Sequence, residues 1–97
     1  MGEYRLSIRA RADLIQIYEF TEAQFGRYQA EAYHAGFERT FSLLAEFPLI
    51  GPSADELVLG YRRFRFQSHY IFYTEEGEQL IRALIHVRQN LRTSLFE

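Results

Sequence analysis

Apolar residues alternate along YRLSI (Tyr4 to Ile8), the period of a strand with one buried face. Then the period lengthens. Leu14, Ile17, Tyr18, Thr21 and Phe25 form one helical stripe, and Gly26 follows where a helix ends on a left-handed residue. A second stripe, Ala30, Tyr33, His34, Phe37, Phe41 and Leu44, predicts a helix from about Tyr28 to Glu46. So short a connection makes the pair an antiparallel hairpin. Phe47 to Leu57 holds both prolines and reads as a loop. LGYRRFRF, HYIFYT and LIRALIHVR then read as three strands, joined through Gln67-Ser68 and through Glu75-Glu76-Gly77-Glu78. The fold class is α+β: an N-terminal strand and an antiparallel two-helix hairpin packed on one face of a small antiparallel sheet, in a single domain over residues 1–97.

Strand parity assigns the faces. In the last strand Ile81, Ala83, Ile85 and Val87 alternate with Arg82, Leu84, His86 and Arg88, so the wholly apolar set is expected under the helices. Phe64 and Phe66 join that side. Tyr61, Arg63 and Arg65 then point away, and Arg62 is expected at the rim, where its long stem reaches water. One open sheet face would gather Arg63, Arg65, Arg82, His86 and Arg88. A solvated face is the bland reading of that set. RNA cleavage is a second reading, with arginine neutralising a phosphate and His or Tyr moving protons. A dock for an acidic and apolar partner is a third.

Composition sharpens this. All 11 basic residues are arginine, against 13 acids, and no acid lies between Leu57 and Tyr73. Arginine keeps its charge and forks onto carboxylate or phosphate, but it is a poor base, so lysine-dependent chemistry is excluded. Without cysteine there is no disulfide or thiolate zinc site, and three scattered His (His34, His69, His86) lack metal-ligand spacing. His34 reads as a packed helix residue, His69 as a turn or edge hydrogen bond, and Asp13 as a solvated or locally paired helix charge. No cofactor is expected. No apolar run approaches the ~20 residues that span a bilayer, so a cytoplasmic protein without membrane association is expected. The net charge of −2 and the lack of a basic recognition helix argue against DNA binding by this chain alone.

YRLSIRARADLIQI, then FG, QAEAY, LLAEFPLIG, DELVLGYRRF, SHYIFY and IHVR, in that order, resemble the ParE branch of the RelE/ParE toxin superfamily. The ordered set with Gly60-Tyr61-Arg62-Arg63 and His69-x-x-Phe72-Tyr73 carries the resemblance over nearly the whole chain. It implies the toxin of a type II toxin–antitoxin system that inhibits DNA gyrase and is neutralised by a ParD-like antitoxin. RelE relatives instead cut mRNA on the ribosome. That alternative would use Arg63, Arg82, His86 and Arg88 here, although no tyrosine follows Tyr73. A third reading keeps the fold without toxicity. The binding reading nominates Arg63, Arg65, Arg88, Arg92, Leu95 and Phe96 as target surface. Antitoxin contacts are expected at Tyr18, Phe25, Tyr33 and Phe37 for an amphipathic helix, and at Arg62, Arg63 and Arg65 for an extended acidic segment. The chain departs from the pattern in two places. Ala83 stands where family members often carry arginine, with Arg82 expected on the opposite strand face, and Asn90 stands where an Asp often follows the His-x-Arg.

Overall fold

The computed structural model describes residues 3–75 and 79–96; the centre of the turn expected at Glu75–Glu78 lies outside them. The elements are β1 (Tyr4–Leu6), α1 (Ile8–Phe25), α2 (Arg27–Glu46), β2 (Arg62–Phe66), β3 (His69–Thr74), β4 (Gln79–His86) and a single 3-10 turn at Thr93–Phe96. The sheet order is β1-β4-β3-β2. The β2–β3–β4 meander is antiparallel as expected, but β1 pairs parallel with β4, so the sheet is mixed. β1 pairs with β4 over three residues only, Tyr4–Leu6 against Gln79–Ile81, before the chain enters α1. Among the described residues no helix is long and apolar enough to cross a membrane.

Each helix end has a local cause. Ser7 caps α1, its side chain accepting the Ala10 N–H at 3.0 Å. Gly26 sits at φ 92°, a conformation that L side chains rarely adopt, and the chain reverses there from α1 into α2. Gly36 brings α2 against β2, where a Cβ would lie 2.5 Å from the Phe66 ring.

The sheet carries a core on each face. Leu14, Phe37, Phe41, Leu44, Ile71, Tyr73, Ile81 and Leu84 fill the helix side, with Phe64 and Phe66 packed against them. Ala54, Phe72, Ala83 and Ile85 fill the other, under Leu57, Tyr61, Leu91, Leu95 and Phe96. The expected parity of β4 therefore fails after Ile81. Phe72 pairs with Ala83 but Tyr73 with Ile81, so Arg82 is an extra residue, a β-bulge. Past it, Ala83 and Ile85 face away from the helices, while Leu84 and His86 face toward them. Arg82 stays on the side of Ala83, over the Tyr61 ring at 5.8 Å, rather than on the opposite face.

The start of α1 seals β4 at the bulge. Ser7 donates its N–H to the Ile81 carbonyl and its hydroxyl to the Arg82 carbonyl, both at 2.9 Å. The Asp13 carboxylate accepts the Leu84 N–H at 3.0 Å and pairs with Arg9 at 3.3 Å. On the opposite edge, buried Tyr73 ties the long loop to the core. Its hydroxyl accepts the Gly51 N–H at 3.0 Å and donates to the Pro48 carbonyl at 2.9 Å. The same loop covers the start of the β2 edge, with Arg63 N–H bonded to Pro52 at 3.0 Å.

Two substitutions test these ties by urea unfolding. Asp13→Ala leaves the Leu84 N–H without its acceptor and is expected to cost about 1–3 kcal/mol, with Asp13→Asn costing less because it keeps an acceptor. Tyr73→Phe strands the buried Gly51 N–H and is expected to cost a similar amount, about 1–3 kcal/mol. A loss near zero in either would mean that the bond carries no net stability.

Candidate functional site

Two surfaces carry the nominated residues, one on each face of the sheet. On the face away from the helices, Arg63 stacks over Tyr70 at 5.4 Å and reaches Glu56 at 3.4 Å. Arg65 is exposed and donates to the Gln67 carbonyl at 2.9 Å. Arg82 donates to Thr74 Oγ1 at 3.2 Å. This face is not the open sheet surface expected. Leu91, Leu95 and Phe96 fold onto its apolar half, Phe96 meeting the Phe72 ring at a centroid distance of 4.8 Å. Thr93 donates to the Leu57 carbonyl at 3.0 Å, and Arg9 reaches across from α1 to the Leu95 carbonyl. Leu95 and Phe96 are thus half-buried, whereas Arg88 and Arg92 are exposed. Arg62 sits at the rim as expected, bonded to the Gly51 carbonyl at 2.7 Å and paired with Glu75 at 3.4 Å.

His86 does not join these arginines, because the bulge turns it to the helix face. The four residues of the nuclease alternative therefore lie apart. Arg63 and Arg82 stand on one side of the sheet, His86 on the other, and Arg88 lies past the end of β4.

The helix side holds a groove of about 850 Å³. Its walls are Ile17, Phe20 and Phe25 from α1 and Tyr33, Gly36 and Arg39 from α2. Its floor is Phe66, the Gln67-Ser68 turn, His69, Leu84 and His86. Phe20 and Phe25 are 63% and 68% exposed, so their rings face solvent across an unfilled cleft. The α1 stripe leaves the core at its last turn, where Thr21 is buried but Phe25 is not. Of the four expected helix contacts, Phe25 and Tyr33 line this groove. Phe37 does not, being fully buried against Phe41 and Phe66. Tyr18 does not either, since it packs edge-on against His34 in the seam between the helices. Their stripe positions point them into the hairpin rather than out of it.

At the floor, Tyr33 Oη and His69 Nδ1 are 2.7 Å apart. Burial raises the Tyr33 pKa, keeping its proton, while the Ser68 backbone hydrogen-bonds the phenol and works against that shift. Burial, and then the neighbouring His86, lowers the His69 pKa to about 4. His69 is thus neutral at pH 7; because the Ser68 backbone already serves the phenol oxygen, the phenol proton is assigned to His69 Nδ1 and the ring's own proton to Nε2. The two imidazoles stand 5.2 Å apart edge to face. His86 Nδ1 accepts the Arg88 N–H at 3.1 Å. Phe20, Arg39 and His69 were not nominated from sequence. Phe20 lies off the α1 stripe, and an aromatic residue on the polar side of a helix was the available signal. Among the described residues no group of three His, Asp or Glu could hold a metal ion.

Comparison with known proteins agrees with this architecture. A family profile described as "ParE toxin of type II toxin-antitoxin system, parDE" matches residues 4–92. Toxin ParE1 of Caulobacter vibrioides is 37% identical over 95 residues, spanning 98% of this chain and 99% of that one. Toxin ParE1 of Mycobacterium tuberculosis is 34% identical over 96 residues, spanning 97% and 98%. A solved structure described as a chromosomal ParDE TA system from P. aeruginosa shares the fold, with TM-score 0.78 at 19% identity over 91% of this chain and 98% of that one.

The His69 environment has a pH signature. Its folded pKa, about 4, lies below the ordinary 6.5, so between those values the unfolded chain binds a proton that the folded chain refuses. Stability contributed by neutral His69 is full above 6.5 and falls as pH drops through that window. His69→Gln is expected to remove this dependence. The unfolding free energy of the variant relative to wild type should therefore rise from pH 7 to pH 4. A pH-independent difference between the two would show that His69 titrates normally.

Proposed function

This chain belongs to the ParE toxin family, as the toxin of a ParDE-type toxin–antitoxin system, and on that premise we propose that it acts by binding a protein target, DNA gyrase, rather than by chemistry of its own. The observation that carries this reading is the separation of the nuclease set. One scissile phosphate cannot meet His86 and the Arg63–Arg82 pair when the sheet stands between them. General acid–base catalysis needs its groups within hydrogen-bond reach of one reacting centre.

Target contacts then fall to Arg63, Arg65, Arg88 and Arg92, with the outer sides of Leu95 and Phe96 as apolar anchors. A ParD-like antitoxin neutralises the toxin by laying an amphipathic helix in the groove, against Phe20, Phe25 and Tyr33, while an acidic segment reaches Arg65. The groove supports this assignment because its exposed aromatics form a ready apolar seat rimmed by polar groups.

The test is induction of the toxin without antitoxin, followed by pulse-labelling of new DNA and new protein. DNA synthesis is expected to fall first. A prior arrest of translation would overturn the gyrase reading in favour of ribosome-dependent cleavage. The Arg63→Ala/Arg88→Ala double variant is expected to abolish growth arrest while keeping the wild-type fold and groove. Undiminished toxicity in that folded variant would move the target surface elsewhere.

A further inference from the structure

The groove floor holds a proton donor that nothing in the fold uses. Tyr33 fixes the His69 ring by taking its Nδ1 face, which directs the Nε2–H elsewhere. Among the described residues Nε2 has no hydrogen-bond partner, and it is not among the polar atoms sealed from solvent. Phe37 and Phe66 wall the ring and its neighbour Tyr33 from the core side. The donor therefore meets the groove at the foot of an apolar cleft, where a hydrogen bond is shielded from water and discriminates strongly.

The surrounding charges select its acceptor. From α1 the facing groups are Arg9 and Asp13, from α2 Tyr33 and Arg39, from β4 His86, and from the β2–β3 turn Gln67 and Ser68. Asp13 is already engaged by Arg9 and the Leu84 N–H. Arg39, by contrast, has no ion pair among the described residues. Among the described residues the uncompensated charge facing the cleft is the Arg39 cation, and the His69 Nε2–H at its foot is a donor. A carboxylate satisfies both.

We infer that His69 is the specificity-determining donor of this groove, that it receives an Asp or Glu carboxylate from the antitoxin helix with Arg39 alongside, and that complex formation takes up a proton there. This rests on the reading of the groove as the antitoxin seat. The proton follows from electrostatics. In the free toxin the ring is neutral because burial and His86 disfavour its cation. A carboxylate against Nε2–H reverses that preference and raises the ring's affinity for a second proton, which goes to Nδ1 as the Tyr33 hydroxyl turns from donor to acceptor. The bound form then holds a proton that the free form lacks, so affinity increases as pH falls toward the free-state value of about 4. Binding of the antitoxin thereby becomes sensitive to cytoplasmic acidity, at a residue outside the arginine face.

The experiment is calorimetric titration of the intact toxin with the full-length ParD-like antitoxin of its own operon. It is run in two buffers of different ionisation enthalpy, from about pH 8 to about pH 5.5, the range in which a perturbed histidine titrates. The expected result is net proton uptake approaching one per complex, with affinity rising by up to roughly tenfold per pH unit below the bound-state midpoint. His69→Gln should bind without that uptake. Imidazole 15N shifts of wild-type toxin, free and bound, read the same site without any substitution. The Nε2–H tautomer is expected in the free protein, with a titration midpoint raised in the complex to the ordinary histidine value of about 6.5 or above. Tight binding with no proton uptake and an unmoved His69 midpoint would overturn the inference and leave the groove as antitoxin seat. Uptake that persists in folded His69→Gln would also overturn it, assigning the proton elsewhere. Absence of any association would overturn both the seat and the inference.

Discussion

The fold turns on one extra residue. Arg82 interrupts the β3–β4 ladder, and every side chain after it changes sides. A strand that keeps strict alternation would set Ala83 and Ile85 under the helices and leave Leu84 and His86 outside. The bulge does the reverse, and three consequences follow together. The Leu84 N–H emerges at the edge of β4, where Asp13 takes it. Leu84 completes the helix-side core, while Ala83 and Ile85 seed a second core on the other face. His86 comes to rest beside His69 at the groove floor. β1 is only three residues long, so Ser7 and Asp13 of the following segment do for the second half of β4 what a longer strand would have done.

Where one side of an element was buried and the other wet, the sequence pattern was sufficient. Leu14 and Ile17 in α1, Ala30 and Phe41 in α2, and the Phe64–Phe66 pair in β2 all lie where their spacing puts them. β4 defeated the same reasoning for a physical reason. Both of its faces are buried, so Ile81, Ala83, Leu84 and Ile85 are apolar on either parity, and Arg82 fits strict alternation as well as it fits the bulge. The end of the α1 stripe was misleading for another reason. Periodicity gives the direction of Phe25 but not whether any core extends that far, and the buried part of α1 stops at Thr21. Asp13 illustrates a third limit. Its local partner Arg9 is four residues away and visible, but the strand amide it caps is 71 residues away.

The second sheet face carries a similar lesson about function. An antiparallel sheet often keeps one face wet, and the alternating arginines suggested as much. The C-terminal segment instead closes the apolar half of that face, held by Thr93 on Leu57 and by Arg9 on Leu95. Arg9 therefore lines the groove on one side and anchors the C-terminal segment on the other. Any occupant that displaces Arg9 from the groove acts directly on the segment that carries Arg92, Leu95 and Phe96. The two surfaces are opposite in orientation but share a guanidinium.

The arginine-rich strand gives less free charge than its composition suggests. Arg62 is engaged by Gly51 and Glu75, and Arg63 by Glu56 and the Tyr70 ring. Arg65 is the member of the three that meets solvent with no acid beside it among the described residues. An exposed ion pair contributes at most ~1 kcal/mol, and less as salt rises. Burying one phenylalanine-sized side chain contributes roughly 1.5–3 kcal/mol. Phe20 and Phe25 together therefore outweigh everything Arg65 gains from an acidic partner. On the proposed reading, the strand's charge speeds and orients encounter, while the groove sets how long a partner stays. That division accounts for a chain of net charge −2 displaying arginines on a strand: the charge is local, mostly occupied by the protein's own groups, and needed only where a partner first arrives.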